Sequence, residues 1–323
     1  MTRIRDIDVL RGFAVCGIML VNTWQHTAGA IENRVQSLPD WLVENLAQSR
    51  FYPIFSFLFG VGVVLFLRSA AHRTPRPWIP LLRRLAVLAA FGLVHRLVNP
   101  GEVLLPYALT GALALLPASF LPRWAVLAAG TGATLWAVLF KAGGVWLIPG
   151  LALLGMAVML YAPPPRALRP VFLAAATSAG ALVVAWAYLW ARPETFEFRF
   201  TVAVYPLAGL AAATAYCAGV LLWLRHRPGS LAVLESLGRM ALTMYLSGTV
   251  IILAVLPLLV TDPTRASVFV MAAVALAAQA AFARWWLARY RYGPLEWVWR
   301  CVTWWEPVPN RIPVHRTAED LGG

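Results

Sequence analysis

Charge is scarce in this chain. Only 13% of the 323 residues are Asp, Glu, Lys or Arg, against about 25% in soluble domains. With 60% hydrophobic residues and a mean hydropathy of +0.70, a soluble globular fold is excluded. Cysteine is scarce too: Cys16, Cys217 and Cys301 show no spacing that suggests a disulfide framework or a metal site. Lysine is almost absent, with Lys141 as the single lysine among 27 basic residues. No HxxxH pair or Cys/His spacing supports a metal, and no G-x-S-x-G elbow supports a serine hydrolase. No clear internal repeat is visible, which lowers the case for an inverted-repeat transporter.

Long apolar runs are what the sequence has instead. They fall near 7–27, 50–67, 84–99, 103–121, 124–140, 144–161, 170–190, 202–224, 240–260 and 266–287. Runs of this length span a bilayer as helices and are too long for barrel strands. The expected fold is all-α: a polytopic integral membrane bundle of about ten helices, forming one domain over 1–305, with a disordered cytoplasmic tail over 306–323. Pro117 and Pro122 mark either a hairpin or one broken helix within 103–140. Arg3 and Arg5 before the first run, and Ala28-Gly29-Ala30 after it, resemble a signal peptide. Arg11 and Asn22 interrupt the apolar core, so a retained first helix is expected.

The net charge of +13 does not point to nucleic acid. Arginines gather in alternate loops, as they do facing the cytoplasm and its anionic lipid. An even number of spans puts Arg68, Arg73, Arg76, Arg83, Arg84, Arg123, Arg166, Arg169, Arg225, Arg227, Arg239 and the basic tail on one side with Arg3 and Arg5. Fewer lie on the other side: Arg34, Arg50, Arg96, Lys141, Arg192, Arg199 and Arg265. Both termini are therefore expected in the cytoplasm. The loop 28–49 is long enough to fold back over the bundle.

The first span, "GFAVCGIMLVNTWQH" after Arg11, carries a polar stripe. Arg11 and Asn22 are eleven residues apart, about 20° past three full turns and about 16 Å along the axis; His26 follows one turn later. An arginine within a membrane helix costs at least about 2.5–3.5 kcal/mol, which favours facing protein or water. The plainer alternatives stay open: Arg11 snorkelling and pairing with Asp8, Asn22 as interhelical glue, His26 as an interfacial residue. His95, Arg96 and Glu102 emerge on the same side as His26, and two histidines with a carboxylate form a candidate acid–base set. Arg68, Arg83, Arg84 and Arg239 at the opposite helix ends are candidates for phosphate binding, although positive-inside topology alone predicts such a cluster.

Five blocks carry a resemblance: "DVLRGFAVCGIMLVN" (8–22), "FYPIFSFLFGVG" (51–62), "GLVHRLVNPGEVLLPYALTG" (92–111), "GRMALTMYL" (238–246) and "YGPLEWVWRCVTW" (292–304). In this order they resemble the YeiB-like family of bacterial inner-membrane proteins, the last two blocks belonging to its C-terminal domain of unknown function, about 150–305 here. That family is similar to a wider superfamily of transmembrane acyltransferases, including the lysosomal heparan-glucosaminide acetyltransferase. The shared feature is an Arg-Gly early in the first helix and a polar residue eleven positions after the arginine, here Asn22, as in the lysosomal branch. That branch's catalytic histidine lies in the loop after the first helix; no histidine stands at the matching spacing here, His26 being the one in that region. The resemblance implies a cytoplasmic acyl-CoA (acetyl-CoA) donor held on the arginine side, an O- or N-acyltransfer to a cell-envelope glycan or lipid acceptor at the outer face, and His26, His95, Glu102 and Asn22 as catalytic candidates. Arg11, Arg68, Arg83, Arg84 and Arg239 are the donor-binding candidates. The expected partners are the lipid bilayer and such an acceptor, with a homo-oligomer open and no nucleic acid. The rivals are a transporter or channel for a small amphipathic solute and a non-catalytic membrane scaffold.

Overall fold

A computed structural model describes residues 5–28, 31, 37–191 and 198–312; side chains at 190–191 and 198–201 are left aside. Among the described residues the chain is helical throughout, with no strand beyond a single bridge between Tyr290 and Arg311. The helices are α1 (Arg5–Ala28), α2 (Leu38–Leu42, running into a π turn at Val43–Ala47), α3 (Phe51–Ala71), α4 (Trp78–His95), α5 (Leu104–Thr110), α6 (Leu116–Ala118), α7 (Arg123–Lys141), α8 (Leu147–Tyr161), α9 (Leu168–Ala191), α10 (Phe198–His226), α11 (Ala232–Arg239), α12 (Ala241–Leu259), α13 (Ser267–Leu287) and α14 (Pro294–Trp304). Nine of these stretches are long and apolar enough to cross a membrane, and Leu104–Ala118 is a shorter apolar tenth. Pro117 explains the shortening. It cannot donate into the helix, and the π turn Gly111–Leu115 directly before it takes up the misfit. Of the two arrangements expected for 103–140, a hairpin or one broken helix, the structure holds the hairpin: Leu104–Ala118 and α7 are separate helices joined by a turn at 119–122.

Glycine sets how closely the helices approach. A Cβ on Gly12 of α1 would overlap the Leu234 carbonyl of α11, and one on Gly238 would overlap the Asp8 carbonyl of α1. Gly60 and Gly155 repeat the arrangement between α3 and α8, against the carbonyls of Ala152 and Phe57. Bilayer helices gain nothing from hiding apolar area from lipid, so backbone approach at small residues is what holds them. By contrast α9 leans on α10 and leaves most of its surface exposed.

Arg5 pairs with Glu235 of α11 at 2.8 Å, and Arg73 at the end of α3 pairs with Glu306 at 2.8 Å. Glu296 of α14 joins these neighbourhoods by accepting from Thr243 N (3.0 Å) and Thr243 Oγ1 (2.6 Å) at the start of α12. The two ends of the described chain therefore lie at one arginine-rich end of the bundle. Order extends past residue 306, where a free tail was expected. Trp297 Nε1 donates to Val308 O (2.8 Å), Arg291 N donates to Asn310 O (2.8 Å) and Ile312 N donates to Arg289 O (3.0 Å). Polar, proline-containing sequence reads as tail because its backbone partners are all non-local. Residues 313–323 of that tail lie outside the described residues.

The opposite end is tied by Arg265, wholly buried in the turn between α12 and α13. It donates to Asp40 Oδ1 (2.6 Å), to Thr27 Oγ1 and to the Trp24 carbonyl, with its guanidinium 4.4 Å from the Trp24 ring centroid. Trp24 Nε1 donates to the same Asp40 oxygen (3.0 Å). Arg265 holds φ +59°, a left-handed conformation costly for a residue with a Cβ, and the hydrogen bonds offset it. Arg50, also buried, donates to the carbonyls of Glu44 and Gln48 and lies over Tyr205. Two of the arginines counted as outer-loop charge are thus structural ties.

Two predictions follow from this packing. Gly238→Ala should cost about 1–3 kcal/mol by overpacking and lower the melting temperature in detergent, whereas Gly132→Ala, whose Cβ would meet nothing within 4 Å, should leave it unchanged or raised. Arg265→Ala should cost about 3–5 kcal/mol by leaving Asp40 buried without its cation; equal melting of Arg265→Ala and wild type would refute the tie.

Candidate active site: a chamber walled by arginine and its apolar continuation

The first turns of α1 set the site. Gly12 and Gly238 meet, and the residues beside them, Arg11 and Arg239, both line one cavity of about 710 Å³. Arg68 (α3), Arg84 (α4) and Arg300 (α14) line it too. Away from the arginines the walls are Phe55, Leu58, Phe59, Leu85, Leu88, Leu104 and Leu242, with Tyr107 and Tyr245. The cavity therefore combines cations and an apolar wall, which suits an anionic amphiphile.

The cations differ in how they are satisfied. Arg11 approaches Asp8 Oδ1 at 3.4 Å, Arg68 donates to Met159 O (3.2 Å) and Arg239 donates to Arg291 O (3.3 Å). Arg84 lies 3.7 Å from the Trp299 ring centroid and 5.3 Å from that of Phe66. Arg11 and Arg300 are near enough to repel it and Glu296 near enough to attract it. Burial pushes the Glu296 carboxyl above the usual range against the pull of the Thr243 hydroxyl and amide. Arg83 does not line the cavity; it packs over Trp305 at 5.5 Å.

Ile18, Phe55 and Tyr245 belong also to the wall of a second, small cavity of about 20 Å³, room for about one water. Its polar lining is Asn22, Tyr245 and Thr249. His95, only 5% exposed, places Nε2 2.9 Å from Thr249 Oγ1, and its ring stands edge-on to Tyr245 with centroids 5.0 Å apart. Asn99 Nδ2 donates to Tyr245 OH at 3.5 Å. His95 Nδ1 and His26 Nε2 are buried without a partner among the described residues. His26 Nδ1 is 2.9 Å from its own helix's Asn22 carbonyl, and the two histidines are close enough to interact electrostatically.

Of the stripe on α1, Arg11 thus lines the large cavity, Asn22 the small one, and His26 lies beyond it. Arg11 both meets Asp8 and faces the cavity, so the snorkelling and functional readings are not exclusive. The Glu102 carboxylate accepts from the Leu104 and Leu105 amides at the start of α5 and lies near enough to Tyr245 to interact with it electrostatically. Burial raises its carboxyl, and those amides and Arg96 pull it down. Sequence reasoning missed Tyr245, Thr249, Tyr292, Trp299 and Arg300. The last three sit in the Trp- and Arg-rich block 292–304, whose amphipathic pattern after the final span was the available signal. No group of three or more metal-ligating side chains forms among the described residues.

Comparison with known proteins places the chain by sequence. Residues 162–306 match the family described as protein of unknown function (DUF418). An uncharacterized 39.9 kDa protein in the amylase 3′ region of Bacillus acidopullulyticus is 33% identical, covering 95% of each chain. YxaH of Bacillus subtilis is 31% identical over 38% of this chain and 36% of its own, and YeiB of Escherichia coli 29% over 34% and 30%. No solved structure matches. With its multi-span helical fold and a relative matched from end to end, the chain belongs to the YeiB-like family of membrane proteins, whose C-terminal part is the DUF418 region.

Proposed function

We propose that this protein is a membrane-embedded acyltransferase that takes an acyl group from acyl-CoA and passes it to an acceptor at the opposite membrane face. The observation that carries the reading is the pairing of the two cavities: the arginine-walled chamber shares Ile18, Phe55 and Tyr245 with a one-water pocket lined by Asn22, next to His95. By the positive-inside rule the arginine end faces the cytoplasm, where CoA is made, and the membrane is the bacterial cytoplasmic membrane. The separation of about 16 Å between Arg11 and Asn22 along α1 is of the order a pantetheine arm bridges. The acceptor would be a hydroxyl or amine of an envelope glycan or lipid.

In this reading Arg11, Arg68, Arg84 and Arg239 hold the donor's phosphates. His95 takes the acceptor's proton as that atom attacks the thioester carbonyl; a new C–O or C–N bond forms, the C–S bond breaks, and the thiolate leaves and recovers the proton from the imidazolium. The Asn22 amide donates to the oxyanion. Thr249 and Tyr245 orient the imidazole, and His26, beyond Asn22, is the alternative base. Glu102 acts through α5, whose first amides it accepts from.

The test is acyl-CoA binding to the purified protein by calorimetry, followed by thiol release with membrane extract as acceptor source. His95→Ala should lower turnover about 10²–10⁴-fold, the range for loss of a general base, with donor affinity kept. Asn22→Ala should lower it about 10²–10³-fold. Absence of binding by any acyl-CoA in a folded sample, with uptake of an amphipathic anion by proteoliposomes, would replace this reading with transport.

A further inference from the structure

Two of the chamber's arginines have been given aromatic partners and nothing else. Among the described residues the Arg84 guanidinium meets Trp299 and Phe66 and has no hydrogen-bond or ion-pair partner. Arg300 lies 4.7 Å from the Tyr292 ring centroid, also without an acceptor, and its Nε is buried and unpartnered. Both line the cavity and are near enough to repel each other. The nearby carboxylate, Glu296, is taken by Thr243.

Keeping two such cations together beside an apolar wall is costly. Stacking fixes the planes of the guanidiniums while leaving their N–H edges free, an arrangement suited to oxygen anions that accept two parallel hydrogen bonds. Arg11 has Asp8 beside it and Arg68 and Arg239 donate to carbonyls, whereas Arg84 and Arg300 rest on rings alone among the described residues.

From this we infer that Arg84 and Arg300, braced by Trp299 and Tyr292, form a diphosphate-binding clamp, and that the chamber's ligand is a diphosphate with an apolar or pantetheine-like tail lying toward Tyr245. Each guanidinium takes one phosphate of the bridge. The chemistry is shared by nucleotide-linked diphosphates such as CoA and by isoprenoid lipid diphosphates. The inference rests on the chamber of the acyl-transfer reading but not on group transfer. It also assigns a task to α14, which supplies Glu296, Trp299 and Arg300 to the cavity wall.

The experiment is calorimetry on the full-length protein in detergent with ADP, CoA, farnesyl diphosphate and farnesyl monophosphate. Variants are Arg84→Gln, Arg300→Gln and Arg84→Lys, with Arg83→Gln as the control outside the cavity; ligand-free melting verifies each fold. At least one diphosphate should bind, and farnesyl monophosphate more weakly than any diphosphate that does. Arg84→Gln and Arg300→Gln should each weaken that diphosphate about ten- to hundredfold, as loss of hydrogen bonds to a charged group does. Arg84→Lys should recover part of the loss and Arg83→Gln should match wild type. Binding of CoA and ADP identifies a nucleotide-linked ligand; binding of farnesyl diphosphate alone identifies a lipid diphosphate and refutes the acyl-CoA donor while the clamp stands. CoA binding without any acyl transfer likewise removes the transferase and keeps the clamp. No diphosphate binding, or equal binding by wild type and a folded Arg300→Gln and Arg84→Gln, overturns the clamp.

Discussion

The close contact of Gly12 with α11 and of Gly238 with α1 is the constraint on which the rest of the site depends. Each glycine is next to an arginine, Arg11 before one and Arg239 after the other. Because a helix turns about 100° per residue, pressing the glycines together throws both arginines to the side of the contact, and that side is the chamber wall. A side chain at either glycine would push the backbones apart and withdraw both cations. The "RG" of the first helix and the "GR" before the twelfth are two halves of one contact.

From there the charge pattern follows a division of labour. Arginines that carry structure have oxygen partners: Arg265 has Asp40 and Thr27, Arg50 has the Glu44 and Gln48 carbonyls, and Arg5 and Arg73 have carboxylates. Arg84 and Arg300, in the chamber, rest on aromatic rings. Stacking compensates a guanidinium weakly compared with a carboxylate, and the difference leaves these groups available to an anion. At the other end of the chamber the histidine is held by the Thr249 hydroxyl rather than by a carboxylate.

Much of the scaffold was legible. Among the described residues, the ten apolar runs became nine long helices and one short one, because span length and backbone satisfaction leave little freedom in a bilayer. The stripe Arg11–Asn22–His26 was legible from helical periodicity alone, and four of five donor-side arginines, Arg11, Arg68, Arg84 and Arg239, do line the chamber. What was not legible depends on contacts between distant segments. Nothing local marks Arg265 as a core residue rather than loop charge, or shows that Glu102 accepts from the amides of α5. Residues 306–312 look like tail and are pinned by hydrogen bonds to 289, 291 and 297. Arg300 was passed over because a basic residue after the last span is what topology predicts anyway.

The central claim is that one amphiphile lies along the chamber with its anionic end among the arginines and its reactive end beside Asn22. A density map of the protein with a thioether analogue of acetyl-CoA, which cannot be cleaved, tests it most directly. The account predicts phosphate density in hydrogen-bond reach of Arg84 and Arg300 and the analogue's carbonyl next to Asn22 and Tyr245. Density for the analogue elsewhere, with the chamber filled by lipid chains and those guanidiniums unengaged, would contradict it.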